Sequence, residues 1–344
     1  MDSRRNHRVV VIRHGGPEVL EVVAETLPVP RPGEVRVRVL AAGVSAFDVI
    51  YRRWPHLPGS SAVPFTLGED VVGVVDALGD GSVGLEQGQV VAGATWADGI
   101  GGGYAEYVCL RVSELVPVPA GVDPAEAVCV VVNYLTAHLH LHHYGQAQRG
   151  ERLLVHGAAG GVGTALLELG GLAGLEMYGT AARDDHDLVA SLGATPIDYQ
   201  RDDFVERIRL LTQDGVDVVV DPVGGAKHLW DSYRCLRRGG RLVWLGSAAT
   251  ETQGLRTGPL SIAMVYLLKV VPDHKRVPVC ATTGPYATKH PGWYRGTLRE
   301  LLDSVAKGEL APVVGERVPL PEARRAHELI ESGHHHGKIV LVSE

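Results

Sequence analysis

One glycine-rich segment, residues 153–163, constrains the fold of this chain more than any other feature of its sequence. It stands between an apolar run that predicts a strand and a run at 164–169 that predicts a helix. In such a unit Gly160 lets the backbone approach a pyrophosphate, Gly163 lets the helix pack against the strand, and the helix N-terminus attracts phosphates. Ala158 occupies the place of the first glycine in the usual pattern. A flexible turn is the alternative to the dinucleotide site that we predict here, formed by Ala158, Gly160, Gly161, Val162 and Gly163.

Around this segment the apolar residues alternate between the periods of strands and helices. Helical spacing is found at 185–192 and 204–211. Short buried strands are predicted at 152–156, 176–180, 195–198, 216–221 and 241–246. Because this alternation is typical of a doubly wound parallel sheet, we expect an α/β chain with a Rossmann domain over residues 129–283.

The rest of the chain predicts a second, mostly β domain made from both ends of the sequence, 1–128 and 284–344. Helical spacing at 125–144 leads into the Rossmann domain, and 277–281 is predicted to be an edge strand. The β domain itself has predicted strands at 35–40, 71–78, 89–92, 104–108 and 338–342, and helices at 293–307 and 321–332.

The end of the second predicted Rossmann strand indicates which dinucleotide is bound. Folds that bind NAD generally place an acid there to accept hydrogen bonds from the ribose hydroxyls, whereas this chain has no acid before Asp184. The planar guanidinium of Arg183 can instead pair with the 2′-phosphate of NADPH. A solvated surface arginine is the alternative. We predict NADPH rather than NADH as the cofactor, with contacts from Thr180, Arg183, His186 and Tyr199.

Charge and cysteine content argue against several classes of function. The chain has 33 Lys and Arg against 40 Asp and Glu, a formal charge of -7, so neither nucleic acid nor an anionic membrane surface is an expected partner. No apolar stretch approaches the roughly 20 residues that span a bilayer. The four cysteines form no CxxC pair, which argues against a zinc ribbon or a disulfide scaffold. With no apolar leader at the N-terminus, we expect a cytoplasmic protein that acts on a small molecule.

Several further motifs are those of a known family. They read GEDVVG at 68–73, GGGYAEY at 101–107, DVVVD at 217–221 followed by GG at 224–225, and GKIVL at 337–341. Together with the glycine loop they extend over nearly the whole chain, which resembles the medium-chain dehydrogenase/reductase superfamily and, within it, the zinc-free quinone oxidoreductase and zeta-crystallin branch. The segments NYLTA at 133–137 and GTA at 179–181 are most similar to the subgroup of the vesicle amine transport protein.

This resemblance implies a GroES-like fold for the β-rich domain and a homodimer joined through edge strands. It also implies positions for the nicotinamide end of the cofactor. Thr136 should border the nicotinamide ring. The carboxamide group should lie beside Leu245, Gly246 and Ser247.

The departures from the family concern its metal sites. Zinc alcohol dehydrogenases of the superfamily carry a ligand cysteine in the loop that matches residues 43–48, and Gly-His-Glu where this chain has GED at 68–70. Their structural zinc needs four clustered ligands, and only Cys109 lies near the matching segment. The histidines at 334–336 lie far along the chain and are interpreted as a solvated loop. We therefore predict no metal.

Without a Lewis acid, the expected substrate is a hydrophobic conjugated carbonyl compound, because conjugation spreads the charge that develops when hydride adds to the β-carbon. The enolate that results needs a proton. In relatives the loop that matches residues 45–56 lines the cleft, and the acid tyrosine of enoyl-thioester reductases falls at His56. We predict His56 as the donor, Tyr51 as the second candidate, and Asn133 as a contact to substrate or cofactor. A loop histidine, an aromatic wall residue and a helix cap are the respective alternatives.

Two other segments are interpreted structurally. Asp48 and Arg52 are expected to form an ion pair that fixes the loop. The apolar stretch 254–291 is expected to form either a lid over the acceptor or a dimer surface.

The sequence as a whole predicts NADPH-dependent, zinc-independent reduction of a quinone or an enone. An enoyl-thioester reductase is the nearest alternative. The alternative from another class is an NADPH-binding interaction protein with little catalysis.

Overall fold

The computed structural model describes residues 4–55, 62–96, 101–246 and 257–343. The chain forms two compact units, Met1–Leu135 with Tyr286–Glu344, and Thr136–Pro285. Each unit has its own buried core of aliphatic side chains.

Strands dominate the N-terminal part of the chain, where β-branched residues recur between turns rich in Gly and Pro. Its elements are β1 (Arg5–Val11), β2 (Leu20–Thr26), β3 (Glu34–Val44), α1 (Ala46–Arg53), β4 (Phe65–Thr66), β5 (Asp70–Leu78), β6 (Val90–Ala94), β7 (Tyr107–Arg111), β8 (Leu115–Pro117) and α2 (Pro124–Cys129). A π-helical turn, Val130–Tyr134, continues α2 without a break. This turn belongs to the first unit, although the sequence assigned it to the Rossmann domain, because it packs against β5 and β6.

Strands and helices then alternate, as the apolar periodicity predicted. The elements are α3 (Leu135–His138), β9 (Arg152–Val155), α4 (Gly161–Leu172), β10 (Glu176–Ala181), α5 (His186–Ser191), β11 (Ala194–Asp198), α6 (Phe204–Thr212), β12 (Val216–Asp221), α7 (Ala226–Cys235), β13 (Leu236–Trp244), α8 (Thr257–Lys269) and α9 (Thr283–Lys289). Strands β9 to β13 form a parallel sheet in the order β11-β10-β9-β12-β13, which is the order of a Rossmann fold. The glycine loop therefore follows the central strand, at the switch point where such folds bind ligands.

The C-terminal part of the chain completes the first unit. Its elements are α10 (Pro291–Ala306), β14 (Val314–Pro319), α11 (Ala323–Ser332) and β15 (Lys338–Val342). Strand β15 pairs with β3 in a sheet of order β14-β15-β3-β5-β6-β8, with β7 also on β3, and β2-β1-β4 form a smaller sheet. The prediction of an α/β chain with a strand-rich domain and a Rossmann domain is confirmed.

The predicted edge strand at 277–281 is wrong. These described residues form no strand, and only Arg276 pairs with Arg241, through a single bridge. Pro278 explains the interruption, because proline lacks the N–H that a ladder needs. The homodimer inferred from that edge stays a prediction.

The apolar stretch beyond β13 is partly helical. Helix α8 buries Ser261 and Val265. It leaves a row of apolar side chains exposed, namely Leu260, Ile262, Tyr266 and Leu267. Among the described residues, no helix is both long and apolar enough to cross a membrane.

Candidate functional site

The glycine loop has the geometry of a phosphate cradle. Gly160 is the N-cap of α4, which begins at Gly161, three residues before the predicted start. A Cβ on Gly163 would meet the Gly157 carbonyl oxygen at 2.2 Å, so only glycine lets the helix approach the loop there. A Cβ on Gly160 would meet only the Gly157 carbonyl oxygen, in ordinary contact at 3.4 Å, so the backbone at the N-terminus of α4 is little crowded. The loop therefore fits a dinucleotide pyrophosphate.

Alanine is accommodated at the first position of the loop because of a small residue on the neighbouring strand. Ala158 is fully buried, and its N–H donates to the carbonyl of Thr180 over 2.9 Å. Its methyl group lies where a Cβ on Gly179 would be, since the two carbons would be 2.6 Å apart. The methyl group of Ala158 therefore fits at the first position of the loop because the facing residue, Gly179, has no side chain.

A buried polar network supports the loop from behind. His156, which directly follows β9, bonds Thr180 Oγ1 through Nδ1 at 3.1 Å and Ser232 Oγ through Nε2 at 3.1 Å. The Ser232 hydroxyl donates to Asp221 Oδ2 at 2.8 Å, and His228 Nδ1 lies 2.9 Å from the same oxygen. The Thr180 hydroxyl, predicted to touch the cofactor, is therefore occupied by His156 and by the N–H of the loop.

Electrostatics reinforce this network. Burial, and then the neighbouring His228, lower the pKa of His156 to about 3, so its ring is neutral. Burial alone would raise the pKa of Asp221, but the hydrogen bond and charge of His228 and the charge of His156 lower it overall. Within the described part of the chain these three residues form a cluster with metal-ligand atoms within 4.8 Å of one another. Their hydrogen bonds already satisfy both nitrogens of His156 and both Asp221 oxygens.

Arg183, predicted to bind a 2′-phosphate, follows β10 by two residues and lies at the surface. The exposed guanidinium is 3.3 Å from His186 Nδ1, and both side chains line a surface cavity of about 540 Å³. Asp184 and Asp187 line it as well, so the cavity offers acceptors for ribose hydroxyls beside donors for a phosphate. Tyr199, the third predicted helper, is 55% exposed and is not in the lining of this cavity.

The structure describes three of the four residues predicted at the nicotinamide end of the cofactor. Thr136 is buried, and its hydroxyl lies 2.8 Å from that of Thr283. Leu245 and Gly246 directly follow β13, and the N–H of Leu245 donates to the Asp221 carbonyl. Ser247 lies outside the described residues.

In the first unit, Ser45 and Asp48 form the N-terminal cap of α1. The Ser45 hydroxyl accepts from the Asp48 N–H, and Asp48 Oδ2 accepts from the Ser45 N–H at 2.8 Å. Asp48 Oδ1 also accepts from the N–H of Gly68 at 2.9 Å. Asp48 thereby joins the loop before α1 to the turn before β5.

The predicted ion pair between Asp48 and Arg52 is wrong. Arg52 is fully buried and pairs with Glu331 of α11, while its Nη1 lies 3.0 Å from His327 Nδ1. The His327 ring in turn meets the Tyr104 hydroxyl at 3.2 Å. Asp48 is taken up by the cap, and the i,i+4 spacing gave no sign that a residue 279 positions away would be preferred.

A second buried ion pair joins β15 to β5. Lys338 Nζ lies 2.8 Å from Asp70 Oδ2, and both side chains are at most 3% exposed. Asn133, predicted to contact substrate or cofactor, is also buried and lies with its Oδ1 3.5 Å from the same ammonium. The predicted alternative for Asn133, a helix cap, is wrong, because the residue lies inside the helical stretch.

Glu69 interacts both with the cap formed by Ser45 and Asp48 and with the ion pair of Lys338 and Asp70. It is half-buried, its Oε2 lies 3.5 Å from the Ser45 hydroxyl, and Trp96 donates a hydrogen bond to it. Burial, followed by the charges of Asp48 and Asp70, raises the pKa of Glu69 to about 8. A carboxyl group with this pKa is mostly protonated at neutral pH.

The proton donors predicted from the sequence are placed only in part. Tyr51 lies on α1, half-buried, with its ring stacked at 6.3 Å on that of Phe47. Burial, and then the charge of Glu69, raise the pKa of Tyr51 to about 12. His56 lies outside the described residues.

Comparison with known proteins places the chain in a family. Two family descriptions match, "Alcohol dehydrogenase GroES-like domain" over residues 31–120 and "Zinc-binding dehydrogenase" over residues 192–341. Quinone oxidoreductase of Rattus norvegicus is 28% identical over 344 residues, which cover 96% of this chain and 96% of the rat protein. The chain belongs to the medium-chain dehydrogenase/reductase superfamily. It is an oxidoreductase of that superfamily, as the sequence predicted.

Two other relatives bear on the finer predictions. The synaptic vesicle membrane protein VAT-1 homolog of Homo sapiens is 29% identical over 330 residues, or 92% of this chain and 80% of that protein. The crystal structure of Escherichia coli quinone oxidoreductase complexed with NADPH has a TM-score of 0.86 and 27% identity, covering 98% of this chain and 99% of that one. The predicted resemblance to both groups is confirmed.

The zinc in one of these descriptions does not fit the residues present. Zinc alcohol dehydrogenases carry a cysteine ligand in the loop that matches residues 43–48, where this chain has the hydroxyl of Ser45. Glu69 occupies the position of their histidine ligand. Catalytic zinc is bound by Cys, His, Asp or Glu, with three protein ligands around an open position. A serine hydroxyl beside one protonated carboxyl does not supply that set.

Three groups near the candidate site were missed by the sequence analysis: the ion pair of Lys338 with Asp70, the cluster around Arg52, and the protonated Glu69. The two ion pairs join residues more than 260 positions apart, so no local spacing signals them. Glu69 had one usable signal, since it is an acid in the place of a histidine ligand.

Proposed function

We propose that this oxidoreductase reduces a conjugated carbonyl compound, a quinone or an enone, with NADPH and without a metal. The observation that carries the proposal is a dinucleotide loop in a chain whose matching zinc positions hold Ser45 and Glu69. Bound NADPH supplies a hydride. Conjugation in the acceptor then takes the place of a Lewis acid, because it spreads the charge that hydride addition creates.

The residues of the chain would bind and orient the cofactor. The backbone at Gly160 and the N-terminus of α4 would hold the pyrophosphate, and Arg183 with His186 would hold the 2′-phosphate. Leu245 and Gly246, with Ser247, are proposed beside the carboxamide, and Thr136 beside the nicotinamide. His56 and Tyr51 remain the proton donors proposed from the sequence.

A substrate panel tests the reaction. Stopped-flow oxidation of NADPH is followed with quinones, enones and enoyl thioesters before and after exhaustive chelation. The proposal expects turnover of quinones or enones that survives chelation, with no stoichiometric zinc by elemental analysis. One zinc per chain, lost together with activity, would overturn the metal-free reaction. Turnover of thioesters alone would favour the enoyl reductase, and no oxidation at all would favour an interaction protein.

Arg183 tests the choice of cofactor. Arg183→Ala removes a charge-assisted contact of roughly 1.5–3 kcal/mol, so the preference for NADPH over NADH should fall by about ten- to a hundredfold. Titration calorimetry with both nucleotides measures the ratio. Arg207→Ala, at an exposed arginine of α6, is the matched control and should leave the ratio unchanged. Equal ratios in wild type and Arg183→Ala would mean that another group reads the phosphate.

A further inference from the structure

The Ser45 hydroxyl has one proton and faces two carboxyl groups. Its Oγ lies 2.9 Å from Asp48 Oδ2 and 3.5 Å from Glu69 Oε2. A hydroxyl donates a single hydrogen bond, so it cannot donate to two carboxylates at once. Burial raises the pKa of Asp48 too, but Asp48 receives two backbone N–H groups, from Ser45 and Gly68, which favour its ionised form. The pattern is complete when Glu69 is the protonated partner and donates to the Ser45 oxygen.

The balance of charge leads to the same assignment. The groups that act on Glu69 are Asp48, Asp70, Lys338 and Trp96, and Glu69 in turn acts on Tyr51. Among them the single cation, Lys338, is bonded to Asp70. A third ionised carboxylate in this buried cluster would have no cation of its own, and like charges raise one another's pKa. Glu69 therefore keeps its proton.

Accessibility separates Glu69 from its neighbours. Asp48 and Asp70 are at most 1% exposed and are held by the cap and by the ion pair. Glu69 is only partly buried, so this residue, unlike the two aspartates, reaches the surface of its unit. It also lies near Ser45 and Tyr51, which belong to the segment that lines the cleft in relatives.

We propose that the Glu69 carboxyl group is the proton donor to the reduced acceptor. The proposal rests on the proposed function. A hydride leaves the nicotinamide and forms the new C–H bond at the β-carbon, so NADPH loses two electrons and the acceptor gains them. The Glu69 O–H bond then breaks, its proton bonds to the enolate, and the carboxylate that remains is reprotonated from solvent.

The kinetic test compares Glu69→Gln with wild type and with Glu86→Gln, a control at an exposed glutamate. Single-turnover reduction and NADPH affinity are measured from pH 6 to pH 10. Because the pKa of Glu69 is raised to about 8, the wild-type rate should fall above about pH 8. Glu69→Gln should be slower by about 10²-fold, without that fall and with unchanged NADPH affinity. A Glu69→Gln enzyme with the wild-type rate and pH profile overturns the proposal.

A second test measures the pH dependence of protein stability and does not depend on enzymatic activity. In the folded protein Glu69 holds its proton up to about pH 8, whereas in the unfolded chain it ionises near pH 4.5. Between these values the folded state binds more protons, so stability attributable to Glu69 is present at low pH and is lost as pH rises. Urea unfolding of wild type should therefore lose stability relative to Glu69→Gln from pH 5 to pH 8. A constant difference between the two proteins over this range overturns the assignment of the proton.

The remaining arms separate a chemical role from a structural one. Glu69→Asp keeps an acid, so it should retain the fall in rate at high pH and recover part of the loss. If Glu69→Asp and Glu69→Gln lose the same share of the reduction rate, Glu69 has a structural role and the proposal is overturned. This comparison remains decisive when Glu69→Gln folds poorly, because Glu69→Asp provides a second variant. If the wild-type protein does not oxidise NADPH in the presence of any acceptor of the panel, the proposed function fails, and the donor role of Glu69 fails with it. If the wild-type protein is active and Glu69→Gln has the same rate and pH profile, the donor role of Glu69 is rejected and the proposed function stands.

Discussion

Each unit of the molecule contains a buried polar network, and the two differ in how completely their hydrogen bonds are matched. Around His156 in the Rossmann unit, each ring nitrogen and each oxygen of Asp221 has a partner. Around Ser45 in the strand-rich unit, one hydroxyl proton faces two carboxyl groups, and three acids act on one another beside one lysine.

This difference separates support from chemistry. In the matched network burial lowers the pKa of His156 to about 3, and, against the effect of burial, the neighbouring histidines hold the pKa of Asp221 below its usual range, so these two residues keep one protonation state around neutral pH. A mismatched network must hold an extra proton, and a half-buried member can release it. We therefore assign the first network to the shape of the glycine loop and the second to proton transfer.

The largest effect is expected where a buried charge would lose its only strong partner. Lys338→Met leaves Asp70 buried without its cation, which should cost about 3–5 kcal/mol in the free energy of unfolding. Urea denaturation measures the loss. The double variant Lys338→Met with Asp70→Asn removes both charges and should recover most of it. A single variant as stable as wild type would show that the ion pair does not stabilise the folded protein.

The same substitution sharpens the comparison through pH. Lys338 lowers the pKa of Glu69, against the larger effects of burial and of the two aspartates. Without the lysine that pKa should rise further, so the fall in rate at high pH should move to higher pH. A profile that stays in place would contradict the electrostatic link.

A smaller effect is expected in the matched network. Ser232→Ala removes a hydrogen bond to His156 and one to Asp221 in a fully buried place, which should destabilise the protein by roughly 1–3 kcal/mol. Because the two partners that Ser232 would lose, His156 and Asp221, both have pKa values well below neutral, this loss should be the same at pH 6 and pH 8. Ser191→Ala, at an exposed serine of α5, is the control and should change stability by less than about 0.5 kcal/mol. A loss that varies with pH would remove the distinction between the networks.

The parts of the fold that the sequence predicted are those with local causes. The glycine loop, its flanking strand and helix, and the alternation behind the Rossmann sheet all follow from residues close together in the chain. Even Ala158 was placed correctly in the loop, although its fit depends on Gly179 of the next strand. The edge strand at 277–281 failed for a local reason too, since Pro278 was overlooked as a breaker.

The candidate site in the strand-rich unit depends on sheet register instead. Lys338 meets Asp70 because β15 pairs with β3, which also pairs with β5, and nothing in the spacing of 268 residues specifies this. Asp48 and Arg52 were expected to pair and fix the loop, but a buried guanidinium is better satisfied by Glu331 and His327 together. The one sequence signal for Glu69 is an acid in the place of a histidine ligand, and its raised pKa follows only from burial and from the charges of Asp48 and Asp70.

The smallest effect is expected at His56, the donor predicted from the sequence. If Glu69 supplies the proton, His56→Phe should change single-turnover reduction by a few-fold at most and leave the fall in rate above about pH 8 in place. If His56 were the donor, the same variant should slow turnover by about 10²-fold at unchanged NADPH affinity, because general-acid help is typically of that size. Measuring His56→Phe and Glu69→Gln side by side on one acceptor separates the two, since only the true donor removes the pH dependence together with the rate. A hundredfold loss in His56→Phe beside normal turnover in Glu69→Gln would return the proton to the loop histidine and leave the carboxyl cluster a structural one.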